Sequence, residues 1–158
     1  MDACPACPLA RGGYRLVAYC FVYGDEYVVR REFLGVMPYR HHGIELPGGR
    51  IAENSPPGVR IVGFEDFAGG RPTRVVSRDL SPAGRDQAVE RALSRIGERR
   101  YSLGGWNCEH YASWCATGVA CSQQVAGVVT AFLAFLKAVL IAGAAVLAAI
   151  ALEAALTE

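Results

Sequence analysis

Residues 101–125 read YSLGGWNCEHYASWCATGVACSQQV, and the fold turns on how this stretch is read. Gly104 and Gly105 interrupt whatever precedes them. Asn107 is a favourable helix N-cap, with Glu109 and His110 in the first turn after it. Residues 107–116 then read as a helix with Cys108 at its start. The N–H groups and macrodipole of a helix start favour an anion, and so favour loss of a thiol proton. Most free cysteines are instead small buried apolar residues, and position alone leaves both readings open. His110 is near in sequence, but two residues along a helix turn it about 200° away from Cys108. A structural role is expected for it. Cys115 returns to the Cys108 face and reads as core.

A nucleophilic thiol needs a base, and the base needs an orienting group. Residues 41–46 alternate as a strand, so His41 and His42 face opposite sides and one of them can reach Cys108. On pattern the choice between them is even. Pro47-Gly48-Gly49 is a turn, and residues 50–53 return. If residues 47–49 form a three-residue loop, Leu46 faces Arg50 and Gly43 faces Glu53. His41 then lies diagonal to Glu53 on one face. A two-residue loop would put Glu53 on the other face. A carboxylate there would fix the imidazole tautomer and favour a Cys⁻/His⁺ pair. A surface position is the commoner fate of a glutamate, and Asn54 is the reserve orienter. The Cys108 backbone N–H is a candidate oxyanion donor, and the Tyr39 phenol, beside His41, is a second.

These residues also carry a resemblance. Asn107-Cys108-Glu109-His110-Tyr111 resembles the NCEHF box of the lecithin:retinol acyltransferase-like family. Tyr101-Ser102-Leu103 before it, and Gly118 to Val125 after it, resemble the flanks of that box in the H-Ras-like suppressor phospholipase/acyltransferases. Tyr39-Arg40-His41-His42-Gly43-Ile44-Glu45-Leu46 resembles their YRHWAIYV segment, and the two blocks follow in the family's order. The resemblance implies a circularly permuted papain-like fold of the NlpC-type superfamily and selects His41 as base. The animal enzymes carry a second histidine twelve residues after the first, where this chain has Glu53. The connection from Gly24-Asp25 to His41 is also longer here. The implied activity is attack of Cys108 on a glycerophospholipid acyl ester, through a cysteinyl thioester, with water, an alcohol or an amine as acceptor.

The chain has 158 residues, net charge +1 and 52% hydrophobic residues. That suits one small domain with an appendage. Near-neutral charge gives no reason to expect nucleic acid as a partner. Six cysteines follow no signal-peptide pattern, so free thiols in a reducing compartment are expected. Cys4 and Cys7 form a CxxC with no second pair to complete a zinc site, and we expect neither metal nor cofactor.

Residues 1–13 read as a flexible N-terminus, 14–124 as the catalytic domain and 125–152 as a membrane-anchoring helix. Within the domain, strands are expected at 14–23, 26–33, 41–46, 50–53, 59–64 and 74–77. Residues 68–72 read as loop. Ser81-Pro82 opens an amphipathic helix over 83–99, with Val89, Ala92, Leu93 and Ile96 as its apolar stripe and its charges on a solvated face. The fold class is therefore α+β: a small antiparallel sheet, a packed helix carrying the nucleophile, and a C-terminal apolar helix.

Residues 125–152 are apolar apart from Lys137, longer than the ~20 residues that cross a bilayer. The positive-inside rule keeps the Arg-rich domain cytoplasmic. Such an anchor suits a membrane phospholipid substrate, an argument independent of the resemblance. Two other functional readings are a thiol amidase or peptidase, and a membrane-anchored binding protein with an inactive site. Intact Asn107, Cys108 and His41 argue against the last.

Overall fold

The computed structural model describes residues 23–76 and 78–156. Cys4, Cys7, Cys20, Ser77 and the strand expected over residues 14–23 lie outside these residues, except for Tyr23, which sits in a turn. By contacts the chain divides into two compact units, meeting between Cys121 and Ser122.

In the first unit the elements run β1 (Glu26–Phe33), β2 (Met37–Leu46), β3 (Arg50–Ser55), β4 (Gly58–Gly63), α1 (Phe64–Ala68), β5 (Thr73–Val76), α2 (Pro82–Ser94) and α3 (Cys108–Thr117). The strands form one antiparallel sheet in the order β4-β3-β2-β1-β5. The fold is α+β, as the sequence indicates.

Alternation assigns the two faces. Ile44, Leu46, Ala52 and Val59 point to one side, where Ala92, Tyr111, Ala112 and Cys115 of α2 and α3 cover them. Tyr27, Val29 and Ile51 point to the other, under Phe67 of α1. The fully buried Val, Leu, Ile and Phe side chains among them contribute about 1.5–3 kcal/mol each. Gly43 is required beneath Phe67, because a Cβ there would lie 2.4 Å from an Ile51 methyl and 2.9 Å from the Phe67 ring.

Four expectations change. β2 begins at Met37, because β1 pairs with it along its whole length, from Glu26↔Ile44 to Phe33↔Met37. The extra length of this connection thus extends a hairpin. Phe64 leaves the strand and opens the short helix α1, capped at Gly69 in the left-handed conformation. The helix expected over 83–99 stops at Ser94. The chain then turns so that Gly97 N–H and Glu98 C=O bond Val59 of β4, at 2.9 Å each. Leu93 and Ile96 consequently stay partly exposed, at 47% and 40%, and Ala88 and Ala92 form the packed stripe. Finally, the α2 charges are not simply solvated. Arg85 pairs with Asp25, Arg91 donates to the Cys115 carbonyl at 2.9 Å, and Arg95 lies over the Trp114 ring.

The second unit is the helix α4 (Gln123–Leu156). The Ser122 hydroxyl accepts the Val125 N–H at its start. Its 34 residues have a most apolar window of mean hydropathy 2.4, and it is long and apolar enough to cross a membrane. At 1.5 Å per residue it spans about 50 Å, against a bilayer core of about 30 Å.

Candidate active site

Asn107 starts α3 as the local sequence demands. Its Oδ1 accepts the N–H groups of Glu109 and His110 at 2.9 and 3.0 Å. His110 Nδ1 accepts the Asn107 N–H in return, which closes a reciprocal capping box. His110 is thus a structural residue here. The cap takes the N–H groups of Glu109 and His110 and not that of Cys108.

Tertiary structure sets Cys108 against β2. β3 pairs with β2 only from Leu46↔Arg50 to Gly43↔Glu53. Beyond Glu53 it continues with β4 alone, and Asn54 donates to the Trp106 carbonyl at 2.8 Å. This bond ties the loop before α3 to the sheet. The Cys108 thiol donates to the Arg40 carbonyl at 3.7 Å and receives the backbone N–H of His42. The sulfur therefore lies against the strand on both sides of His41.

His41 and Glu53 meet on the α1 face. His41 Nε2–H donates to Glu53 Oε2 at 2.7 Å. The pairing of Gly43 with Glu53 is the one a three-residue loop at 47–49 produces. With Nε2 committed, Nδ1 is the ring nitrogen left to take a proton. Arg60, directly opposite Glu53 on β4, donates from Nε and a terminal nitrogen to Glu53 Oε1 at 2.9 and 2.7 Å. Phe67 lies on the imidazole at a centroid distance of 5.4 Å. Arg31 donates to the Phe67 carbonyl at 2.7 Å and stands 4.0 Å from Glu53 Oε2.

Burial sets the protonation states. It would raise the Glu53 carboxyl, but His41 and Arg60 outweigh it and hold the group below its ordinary value. Burial lowers His41 and prevails over the Glu53 hydrogen bond and charge, which act upward. It also pushes the Cys108 thiol up to about 11, although backbone N–H groups of His42 and Glu109 pull the other way. The closed site thus favours neutral thiol beside neutral imidazole. This differs from the Cys⁻/His⁺ pair and easily lost thiol proton expected from the sequence. Cys108, His41 and Glu53 are only 3%, 2% and 1% exposed, so desolvation exceeds what a helix start supplies.

Two phenols lie within electrostatic reach of the thiol. Tyr39 is raised by burial, and a charge on Cys108 would raise it further. Its ring is 6.2 Å from that of His41. Tyr101 is pushed to about 12 by burial, with Cys108 and Tyr39 acting in the same direction. Tyr101 was not singled out as a donor from the sequence. Its place in the stretch that resembles the family's box flank was the available signal. Arg60 was also missed, although counting back from Gly58↔Ser55 places it opposite Glu53.

His42 faces neither solvent nor the thiol with its side chain. It is buried on the α2–α3 side, where its Nδ1–H donates to Glu26 Oε1 at 2.7 Å. Arg78 donates to Glu26 Oε2 at 2.8 Å. The two adjacent histidines are thus each backed by a glutamate and then an arginine, on opposite faces. Among the described residues no His/Cys/Asp/Glu group suited to a metal ion is present.

The class this defines is an α+β domain whose helix-start cysteine is set against the backbone of the antiparallel strand that carries a histidine paired with a carboxylate. Residues 54–121 match the family model described as lecithin retinol acyltransferase. The match supports the lecithin:retinol acyltransferase-like family, a family of acyltransferase character. It contains Cys108 and begins just after Glu53, so the histidine strand lies outside it. No curated protein matches the chain.

Proposed function

We propose that the protein is a membrane-anchored, cysteine-dependent phospholipase A/acyltransferase acting on glycerophospholipid acyl esters. The observation that carries the reading is the His41–Glu53 pair on β2 and β3, with the Cys108 sulfur against the backbone on either side of His41. His41 Nδ1 takes the thiol proton as Sγ attacks the ester carbonyl. Glu53 holds the ring and stabilises the imidazolium that forms. The Cys108 N–H and the Tyr39 phenol, joined by Tyr101, face the developing oxyanion. Collapse breaks the ester C–O bond, and His41 returns its proton to the leaving lysophospholipid alkoxide. Water, an alcohol or an amine then attacks the Cys108 thioester and regenerates the thiol. The raised thiol pKa suits this order, with deprotonation concerted with attack.

The helix α4 is proposed as a single-pass anchor with the catalytic domain on the cytoplasmic side, which keeps Cys108 near lipid and raises its effective concentration. Intact-mass spectrometry after incubation with phosphatidylcholine vesicles tests the whole reading. An acyl adduct lost in Cys108→Ala is expected. Absence of any adduct, with amide substrates cleaved instead, would favour a thiol amidase.

A further inference from the structure

The tip of the β1–β2 hairpin is apolar and exposed where a folded domain gains nothing from it. Phe33, Leu34, Val36 and Met37 are 48%, 80%, 78% and 63% exposed. The turn is closed by the Val36 N–H on the Phe33 carbonyl. Leu34 and Gly35 both have positive φ, at 53° and 72°. Such a turn is normally built from Asn-Gly or Asp-Gly, which adopt this conformation with less strain. Leucine at its first position is therefore unfavourable for the turn and contributes nothing to the core. Solvent-exposed apolar clusters of this kind mark a surface that meets something apolar.

Charge and position identify what it meets. Behind the tip, Arg30 and Arg40 are directly opposite each other across the two strands, both exposed. Exposed Arg74, opposite Val28, is on the same face. Glu32, opposite Pro38, is the carboxylate between them and the tip. An anionic surface complements this cluster of positive charge. Phe33 and Met37 share a face with the Arg31–Tyr39 and Val29–His41 pairs, and so with Glu53. Three residues of strand, Pro38 to Arg40, separate Met37 from His41, a rise of about 13 Å. Tyr39 lies between them.

We propose that residues 33–37 insert into the interfacial region of an anionic phospholipid bilayer, with Arg30, Arg40 and Arg74 on the headgroups. The tip then leads from the lipid surface along the face that carries His41. The inference rests on the lipid reading of the site for its bilayer setting, but its test reads depth instead of turnover.

The full chain carrying Leu34→Trp is reconstituted into phosphatidylcholine/phosphatidylglycerol vesicles whose acyl chains are brominated near the headgroup. Its emission should shift to the blue and be quenched severalfold more than the Trp106 and Trp114 background of the parent. Val75→Trp, at an exposed site opposite Tyr27, serves as the control and should add no quenched signal. If Leu34→Trp fails to fold, Val36→Trp carries the same test. Quenching at the tip no greater than at the control overturns the proposal, as does burial of the tip by self-association with no quenching. Arg30→Gln should weaken quenching only when phosphatidylglycerol is present; an equal loss without it overturns the role of the arginines. Leu34→Asn should melt no lower than the parent yet slow adduct formation from vesicles severalfold; an unchanged rate overturns the functional link. A quenched tip in a protein that forms no Cys108 adduct would sink the proposed function and leave this inference standing. An adduct without quenching would do the reverse.

Discussion

His41 Nε2 and Glu53 Oε2 lie 2.7 Å apart, on neighbouring strands, with Arg60 gripping the far oxygen of the same carboxylate. Glu53 therefore stands at the centre of a charged relay and does not float at the surface. In the proposed mechanism it keeps Nε2 protonated so that Nδ1 can accept. Glu53→Ala should lower kcat by about 10²–10⁴-fold with KM nearly unchanged, because the loss falls on the transition state. Glu53→His should retain activity, since it restores the histidine that the resembling enzymes carry. Steady-state kinetics on dispersed lipid decide this; parent-like turnover by Glu53→Ala would show that His41 needs no carboxylate, because the reserve candidate Asn54 faces the other side of the sheet and is bonded to the Trp106 carbonyl.

Cys108 and His41 should behave as one unit. Each alanine variant should abolish acyl-adduct formation, and the double variant should be no worse than either. The pH dependence follows from their neutral resting states. Activity should rise as His41 loses its proton, at a pH below its ordinary 6.5, and then stay level. Alkylation of Cys108 without substrate should increase about tenfold per pH unit up to about pH 11. A plateau in alkylation near neutral pH would show that the site holds a thiolate, against the closed geometry.

The second histidine has a separate, structural role. Its imidazole fills a buried position on Glu26, and His42 Nε2 has no hydrogen-bond partner among the described residues. His42→Ala leaves the Glu26 carboxylate buried with Arg78 alone, which should cost about 3–5 kcal/mol of stability. Chemical denaturation measures this directly. Whatever protein stays folded at low temperature should still form the acyl adduct, because the contact with Cys108 is made by the His42 backbone.

Glu45 supplies a test of burial that is independent of catalysis. Burial first, and then Asp25, raise its carboxyl to about 7, against opposing contributions from Tyr27 and Arg85. Its unfolded value is near 4.5. The folded state thus holds a proton that the unfolded state gives up. The contribution is fully present below pH 4.5 and is lost as pH rises through 7. Glu45→Gln should remove this loss and stabilise the protein at pH 8 by about 1–2 kcal/mol, after allowance for solvent screening. Melting curves at pH 5 and pH 8 give the comparison; an equal effect at both would place Glu45 in an ionised state throughout.

The sequence by itself determined what depends on neighbours in the chain. Asn107 before Cys108 sets the helix start, since capping is decided within three residues. Pro47-Gly48-Gly49 marks the hairpin turn, but a two- or three-residue loop stayed open, and the structure chose the three-residue loop that brings Glu53 opposite Gly43. The uniform apolarity of α4 is visible without any partner. Tertiary structure decided everything that depends on burial and on contacts distant in the chain. Asn54 ties the loop before α3 to the sheet, and the helix start docks where β3 leaves β2. Packing of α1, which the sequence did not reveal, encloses His41. Arg60 and Arg78 each hold a glutamate from another segment, and His42 turns out to be buried. Desolvation then opposes the loss of a thiol proton that a helix start favours. A helix start is a local dipole that residue order announces, whereas the loss of water around Cys108 is made by segments some seventy residues apart.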